Sequence, residues 1–418
     1  MTQGWPRDAW RGFLRLLFAF GLWGLVVWPV TGWLGGSLIQ REISRLDSHL
    51  HTGPSSLIGR DFVNIWHGGH EAIAHGAGVV YDREAYRRTL YPETGLVGFY
   101  TFSYPPHMLL LSLPFGLTGY LVSLALWSFL GLALFWHAAR PWLRDVRLPG
   151  WAVLVLPAAI VNIWAGHFGF LIGALALYGW RTAQTHPARS ALAFAVMTVK
   201  PHMGILIPVI LAMKRQWRTI LLSGAGMVAL VGLSALVFGL DSWSIWLSST
   251  LAFQAGLIEI VPRQPYSFMM PTVGRMLYAV TTDEMLVALG QIMIGVYAVI
   301  AIYWAHTRRV GTRDLGLLSL IAIPLILPYS FTYDMVAMCL VALVCAVRWG
   351  RWYGWQKLVF AGGFLVPLAQ APLAREGFWP APIALILMLG VAAWRMAREA
   401  RGAAPAAQQA VEKMVRAG

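Results

Sequence analysis

Charge is scarce in this chain. Asp, Glu, Lys and Arg make up 12% of its 418 residues, against about 25% in an ordinary soluble domain, and only four residues are lysine. That shortage excludes a water-soluble globular domain. Cysteine is nearly absent as well. Cys339 and Cys345 fall in one apolar run, six residues apart, and point in different directions on a helix, so no disulfide is implied. The alternation of apolar and polar residues that builds a membrane β-barrel is missing. So is an internal repeat of the kind transporters often carry.

What is present is apolar surface. Hydrophobic residues make up 58% of the chain and its mean hydropathy is +0.62. Several runs reach the roughly 20 residues needed to cross a bilayer, and in lipid a helix satisfies its own backbone groups. The fold class expected is an all-α, polytopic integral membrane protein. Its 21 Trp and 14 Tyr suit interfacial belts. The net charge of +14 comes from arginines clustered in short loops beside apolar runs. That is the positive-inside bias rather than a nucleic-acid surface, and no nucleic-acid partner is expected.

The first run, Phe13 to Gly36, follows Arg7, Arg11 and Arg15. It is long and has no convincing cleavage site, so it reads as a retained transmembrane helix running from inside to outside. A polar loop over 37–104 follows. Apolar runs come next at 105–139, 150–165, 168–182, 190–213 and 218–238, then a second long loop over 240–282. The last runs are 284–306, 314–328, 332–347, 358–372 and 380–398. Two arrangements fit. In one, 105–139 is a hairpin and 190–213 crosses once. In the other, 105–139 crosses once and 190–213 is a hairpin bent at Pro201, made of two very short helices. Both give about 12 crossings, place both long loops outside, and put KRQWR (214–218), Arg308, Arg309 and the tail inside. Residues 1–400 thus read as one polytopic domain and 401–418 as a cytoplasmic tail.

Four stretches carry the chemistry: RDFVNIWHGGHEAIAHGAGVVYD (60–82), FSYPPHMLLLSLPFG (102–116), LAFAVMTVKPHMGILIPVILAMKRQWR (192–218) and ILPYSFTYDMVAM (326–338). In order and spacing they resemble glycosyltransferase family 87, over roughly residues 10 to 345. The resemblance implies a GT-C-type helical bundle whose long first outer loop carries interfacial helices. It implies transfer of mannose, or in some members arabinofuranose, from a polyprenyl-phosphate donor on the outer membrane face. The acceptor expected is a glycolipid or envelope glycan, the location a bacterial inner membrane with the site facing the periplasm, and no cofactor is required. A transporter or flippase for a lipid-linked sugar is the competing reading. It would also use an intramembrane Lys and Asp, but it needs no long outer loop with an Asp beside an amphipathic helix.

Within that resemblance Asp61 is the expected general base, taking the proton of an acceptor hydroxyl as it attacks the anomeric carbon. The alternative is an N-cap for a helix starting at Phe62. Lys200 is an ammonium inside an apolar run, beside Pro201. Such a charge is a functional candidate by default, and a donor phosphate is a fitting partner; snorkelling is the plainer explanation. His202 matters only if Pro201 breaks the helix. Arg263 in the second loop is a further phosphate candidate. Asp334 either orients an acceptor, pairs with Lys200, or caps a helix starting near Met335. Some family members carry histidine where this chain has Tyr333 and Asp334. Tyr104 and His107, flanking a Pro-Pro pair, are candidate site walls, and His167 stands where the family often has Gln. His67, His70 and Glu71 share a helical face as zinc ligands do, but a lipid-phosphate donor has no diphosphate for a metal to activate, so no metal is expected.

Overall fold

The computed structural model describes residue 59 and residues 61–94, 100–260, 265–349 and 354–417. The expected first helix, Arg60 and Arg263 lie outside the described residues. Every regular element among the described residues is helical. The main helices are α1 (Val63–Ala74), α2 (His107–Gly116), α3 (Tyr120–Asp145), α4 (Pro157–Ala165), α5 (Gly169–Thr182), α6 (Pro187–Val196) and α7 (Leu206–Met213). They continue with α8 (Trp217–Phe238), α9 (Glu284–Thr307), α10 (Thr312–Ile326), α11 (Val336–Arg348), α12 (Gly354–Arg375) and α13 (Pro380–Ala417). Shorter helices fill both long loops.

Five of these helices, α3, α8, α9, α12 and the first part of α13, are long and apolar enough to cross a bilayer. Their outer faces leave Leu221, Val228, Leu236, Ile292 and Met293 exposed, an arrangement suited to lipid rather than water. The protein is therefore a membrane protein. Its ends are set by local chemistry. At α9, for instance, the Asp283 carboxylate accepts from the backbone N–H groups of Met285 and Leu286 at 2.9 and 3.2 Å, capping the helix where its dipole favours an acid.

Contacts at the helix ends sort the bundle into two poles. At one pole Arg181 at the end of α5 and Arg313 at the start of α10 both donate to Asp145 at the end of α3. Gln216, just past α7, donates to Thr312 at 3.3 Å, and Arg348 binds Asp314 and Glu399, both at 2.7 Å. This pole is basic. The opposite pole gathers the ends of α4 and α12 and the starts of α1, α5, α11 and α13. Residues 187–213 enter and leave at the basic pole and turn back at Lys200, where φ −134° and ψ 72° break the helix before Pro201. A residue preceding proline is disfavoured in the helical region, so the break is local in origin. The contacts thus correspond to the arrangement with a bent 190–213 segment. Residues 105–139 are divided too, α2 ending at Gly116 and α3 alone running the length of the bundle.

The first loop packs down through its glycines. A Cβ at Gly69 would lie 2.2 Å from the Ser112 carbonyl oxygen, and one at Gly116 would lie 2.4 Å from the Gly69 carbonyl carbon. The HGGH sequence therefore lets α1 and α2 meet backbone to backbone. His67, His70 and Glu71 take separate partners: Thr89 at 3.0 Å, the Gly116 carbonyl at 3.3 Å and His75 at 2.9 Å.

Candidate functional site

Three helical turns meet at the pole opposite the arginines, and each is built from short helices. The helices α5, α10 and α11 hold 14, 15 and 13 residues. At 1.5 Å per residue they span about 20–23 Å, short of the roughly 30 Å hydrocarbon thickness. Their turns therefore lie below the ends of the longer helices. The α4–α5 turn supplies His167, the α6–α7 break supplies Lys200, and the α10–α11 connection supplies Tyr333 and Asp334.

Lys200 Nζ donates to Asp334 Oδ1 at 2.6 Å, with side chains 7% and 3% exposed. A charge pair this deeply withdrawn from water is costly unless each partner is satisfied. Two rings help. His167 Nδ1 lies 3.6 Å from the same carboxylate oxygen, and its ring stacks on Tyr333 at 4.1 Å. Lys200 Nζ lies 5.7 Å from the Tyr333 ring centroid, within range of the attraction between a cation and an aromatic face. The Tyr104 hydroxyl meets His167 Nε2 at 3.5 Å. Asp334 does not act as a helix cap: that position falls on Met335, and no side chain bonds there.

The turns interlock because Gly169 has no side chain. A Cβ there would sit 2.1 Å from the Tyr333 carbonyl oxygen. Asn162 Oδ1 accepts from Gly169 N–H at 2.8 Å, and Trp127 Nε1 donates to the His167 carbonyl at 3.4 Å.

Asp61 is brought to this cluster by its backbone. Its N–H donates to the Ala165 carbonyl at 3.1 Å, two residues before His167, and Gly59 N–H donates to Trp164 at 3.0 Å. The buried Phe62 ring packs among Phe115, Tyr120 and Trp127, while the Tyr120 hydroxyl braces the Gly59 carbonyl at 2.8 Å. The partly exposed Asp61 carboxylate acts electrostatically on Tyr104, His167 and Tyr333. The cap position of α1 falls on Phe62, one residue later, with no side-chain capping bond.

Of the residues singled out from the sequence, Asp61, Tyr104, His167, Lys200, Tyr333 and Asp334 thus come together. His202, freed by the break at Pro201, lies within electrostatic reach of Lys200, Asp334 and His167. His107 stands behind them. It bonds Thr198 at 3.2 Å and stacks on Trp243, bracing the Lys200 segment rather than touching the ion pair. Arg275, a further basic residue of the second long loop, has partners of its own, its Nε donating to Ser267 Oγ at 2.7 Å and its guanidinium lying 4.3 Å from the Trp379 ring centroid. Close to this cluster in sequence, Ser330 and Thr332 have buried hydroxyls with no hydrogen-bond partner among the described residues. The only sequence signal for them is their place in PYSFTYD, next to two residues already suspected.

No curated protein and no solved structure matches the chain. A model of glycosyltransferase family 87 matches residues 102–328, more than half the length, and the matched span contains Tyr104, His167 and Lys200. An all-helical membrane bundle, a turn-built polar cluster and that match agree, and the chain belongs to glycosyltransferase family 87.

Proposed function

We propose that this family 87 glycosyltransferase takes its sugar from a polyprenyl-phosphate donor, with mannose as the sugar, and passes it to a glycolipid or envelope glycan at the outer face of a bacterial inner membrane. The observation that carries this reading is the position of Lys200. It is a buried ammonium, held by Asp334, at a depth where a lipid-borne phosphate can meet it. Asp61, partly exposed, adjoins the same cluster through its backbone bond to Ala165.

In the proposed reaction an acceptor hydroxyl oxygen attacks the anomeric carbon as the bond from that carbon to the phosphate oxygen breaks. The polyprenyl phosphate leaves with the electron pair, the hydroxyl proton passes to Asp61, and one displacement inverts the anomeric centre. Lys200 stabilises the charge gathering on the leaving phosphate. Asp334, with His167 and Tyr333 against it, keeps the ammonium in place. The basic pole supports an orientation with that pole in the cytoplasm and the site outside. The test is direct: purified protein is given radiolabelled polyprenyl-phosphate mannose and a membrane glycolipid extract. Label should move to the acceptor, leaving polyprenyl phosphate. A protein that binds the donor but only carries it across vesicles, without breaking the sugar–phosphate bond, would overturn the reading.

A further inference from the structure

Three residues other than glycine adopt a positive φ among the described residues, and all three are arginines: Arg147 at 61°, Arg215 at 55° and Arg309 at 65°. They stand just beyond the C-termini of α3, α7 and α9. Each helix closes with the same two backbone bonds. The arginine N–H donates to the carbonyl three residues back, on Arg144, Ala212 and His306. The next N–H, of Leu148, Gln216 and Val310, reaches five back, to Leu143, Leu211 and Ala305. The left-handed position of this closure favours glycine, the one residue that adopts it freely. The chain uses glycine where the same closure occurs at the opposite pole. There Gly377, at φ 84°, follows α12 and bonds Ala374, while Phe378 bonds Leu373.

The three arginines surround one place, the first turn of α10. Asp145, two residues before Arg147, accepts from Arg313. Gln216, directly after Arg215, donates to Thr312, and Arg309 is three residues before it. All three arginines are exposed. The acids of this pole are already engaged, Asp145 by Arg181 and Arg313, and Asp314 and Glu399 by Arg348. None of the described acids pairs with the three arginines, and their neighbours Arg144, Lys214, Arg218 and Arg308 add charge of the same sign. A general bias toward basic loops accounts for arginine near this pole. It does not account for arginine at the strained position, because a neighbouring position would serve that bias equally well.

We propose that this pole is a binding face for anionic phospholipid headgroups, with Arg147, Arg215 and Arg309 as its contact points. The helices α3 and α9 are long enough to cross the bilayer, so their ends fall at headgroup level. A guanidinium meets a phosphate there with paired hydrogen bonds, and it complements the negative end of each helix dipole.

The test reads the melting temperature of the full-length protein in nanodiscs of phosphatidylcholine alone and of phosphatidylcholine mixed with phosphatidylglycerol. Wild type should melt higher in the anionic disc. The triple variant Arg147→Gly/Arg215→Gly/Arg309→Gly should melt above wild type in the neutral disc, because backbone strain is relieved, and should lose most of the anionic increment. Its affinity for phosphatidylglycerol, titrated in detergent, should fall about 100-fold, at about fivefold for each basic residue near an anionic surface. The corresponding triple lysine variant should keep the increment. If the glycine triple does not fold, the three single variants are measured in the same way, each expected to lose part of the increment. An unchanged increment in the glycine variants would overturn the proposal. So would a glycine variant less stable than wild type in the neutral disc, or equal stabilisation of wild type by inorganic phosphate, which would make this a soluble-anion site.

Discussion

The Lys200–Asp334 pair sets what single substitutions do. Removing one member of a buried ion pair leaves the other charged and unmatched, at a cost of about 3–5 kcal/mol, whereas replacing both is often close to neutral. Lys200→Met should therefore lower thermal stability sharply. The double variant Lys200→Met/Asp334→Asn should regain most of that stability while still binding a polyprenyl-phosphate analogue poorly. A double variant with wild-type donor affinity would make the pair purely structural. Asp61 belongs to a different class, being partly exposed and held in place through its backbone. We expect Asp61→Asn to melt like wild type and to lose about 100-fold or more in turnover, the usual scale for a lost general base. Near-normal turnover in a folded Asp61→Asn protein would remove it from the mechanism. Asp334 was legible in the sequence because charge is so scarce that an intramembrane acid stands out, and Asp61 because the stretch around it resembles the family's pattern. Ser330 and Thr332 were not, since a hydroxyl in an apolar run reads as an ordinary helix residue until its missing partner is seen.

Among the elements, the decisive ones are short. The α4–α5 turn can approach the Tyr333 backbone only because residue 169 is glycine. Gly169→Ala should push the two turns apart, costing about 1–3 kcal/mol of stability, and should depress turnover although no charged group has changed. If Gly169→Ala retains full activity, the fit of these turns does not matter to the chemistry. Most helix boundaries followed from run length and hydropathy. The path of 187–213 did not, because hydropathy marks the run as apolar without showing where an eight- or ten-residue helix within it points. What decides it is remote from the segment: the Gln216–Thr312 bond holds its exit at the basic pole, and the Lys200–Asp334 bond holds its midpoint at the opposite one.

For the whole molecule, two chemically different poles emerge, one rich in arginine and one holding the polar cluster. Because His67, His70 and Glu71 are spread over three partners, we expect transfer to continue in excess EDTA, and His67→Ala/His70→Ala to affect folding more than turnover. Activity lost in EDTA and restored by one divalent ion would bring a metal into the reaction. The shortness of α5, α10 and α11 has a further consequence. On the proposed reading, a cluster set below the ends of its neighbouring helices obliges a lipid-tethered donor to bring its phosphate down into a recess. Lengthening the acyl chains of a reconstituted bilayer deepens that descent at a modest cost per ångström of mismatch. Donor and enzyme would then be matched partly by thickness, and the proteoliposome with the longest lipids should turn over most slowly.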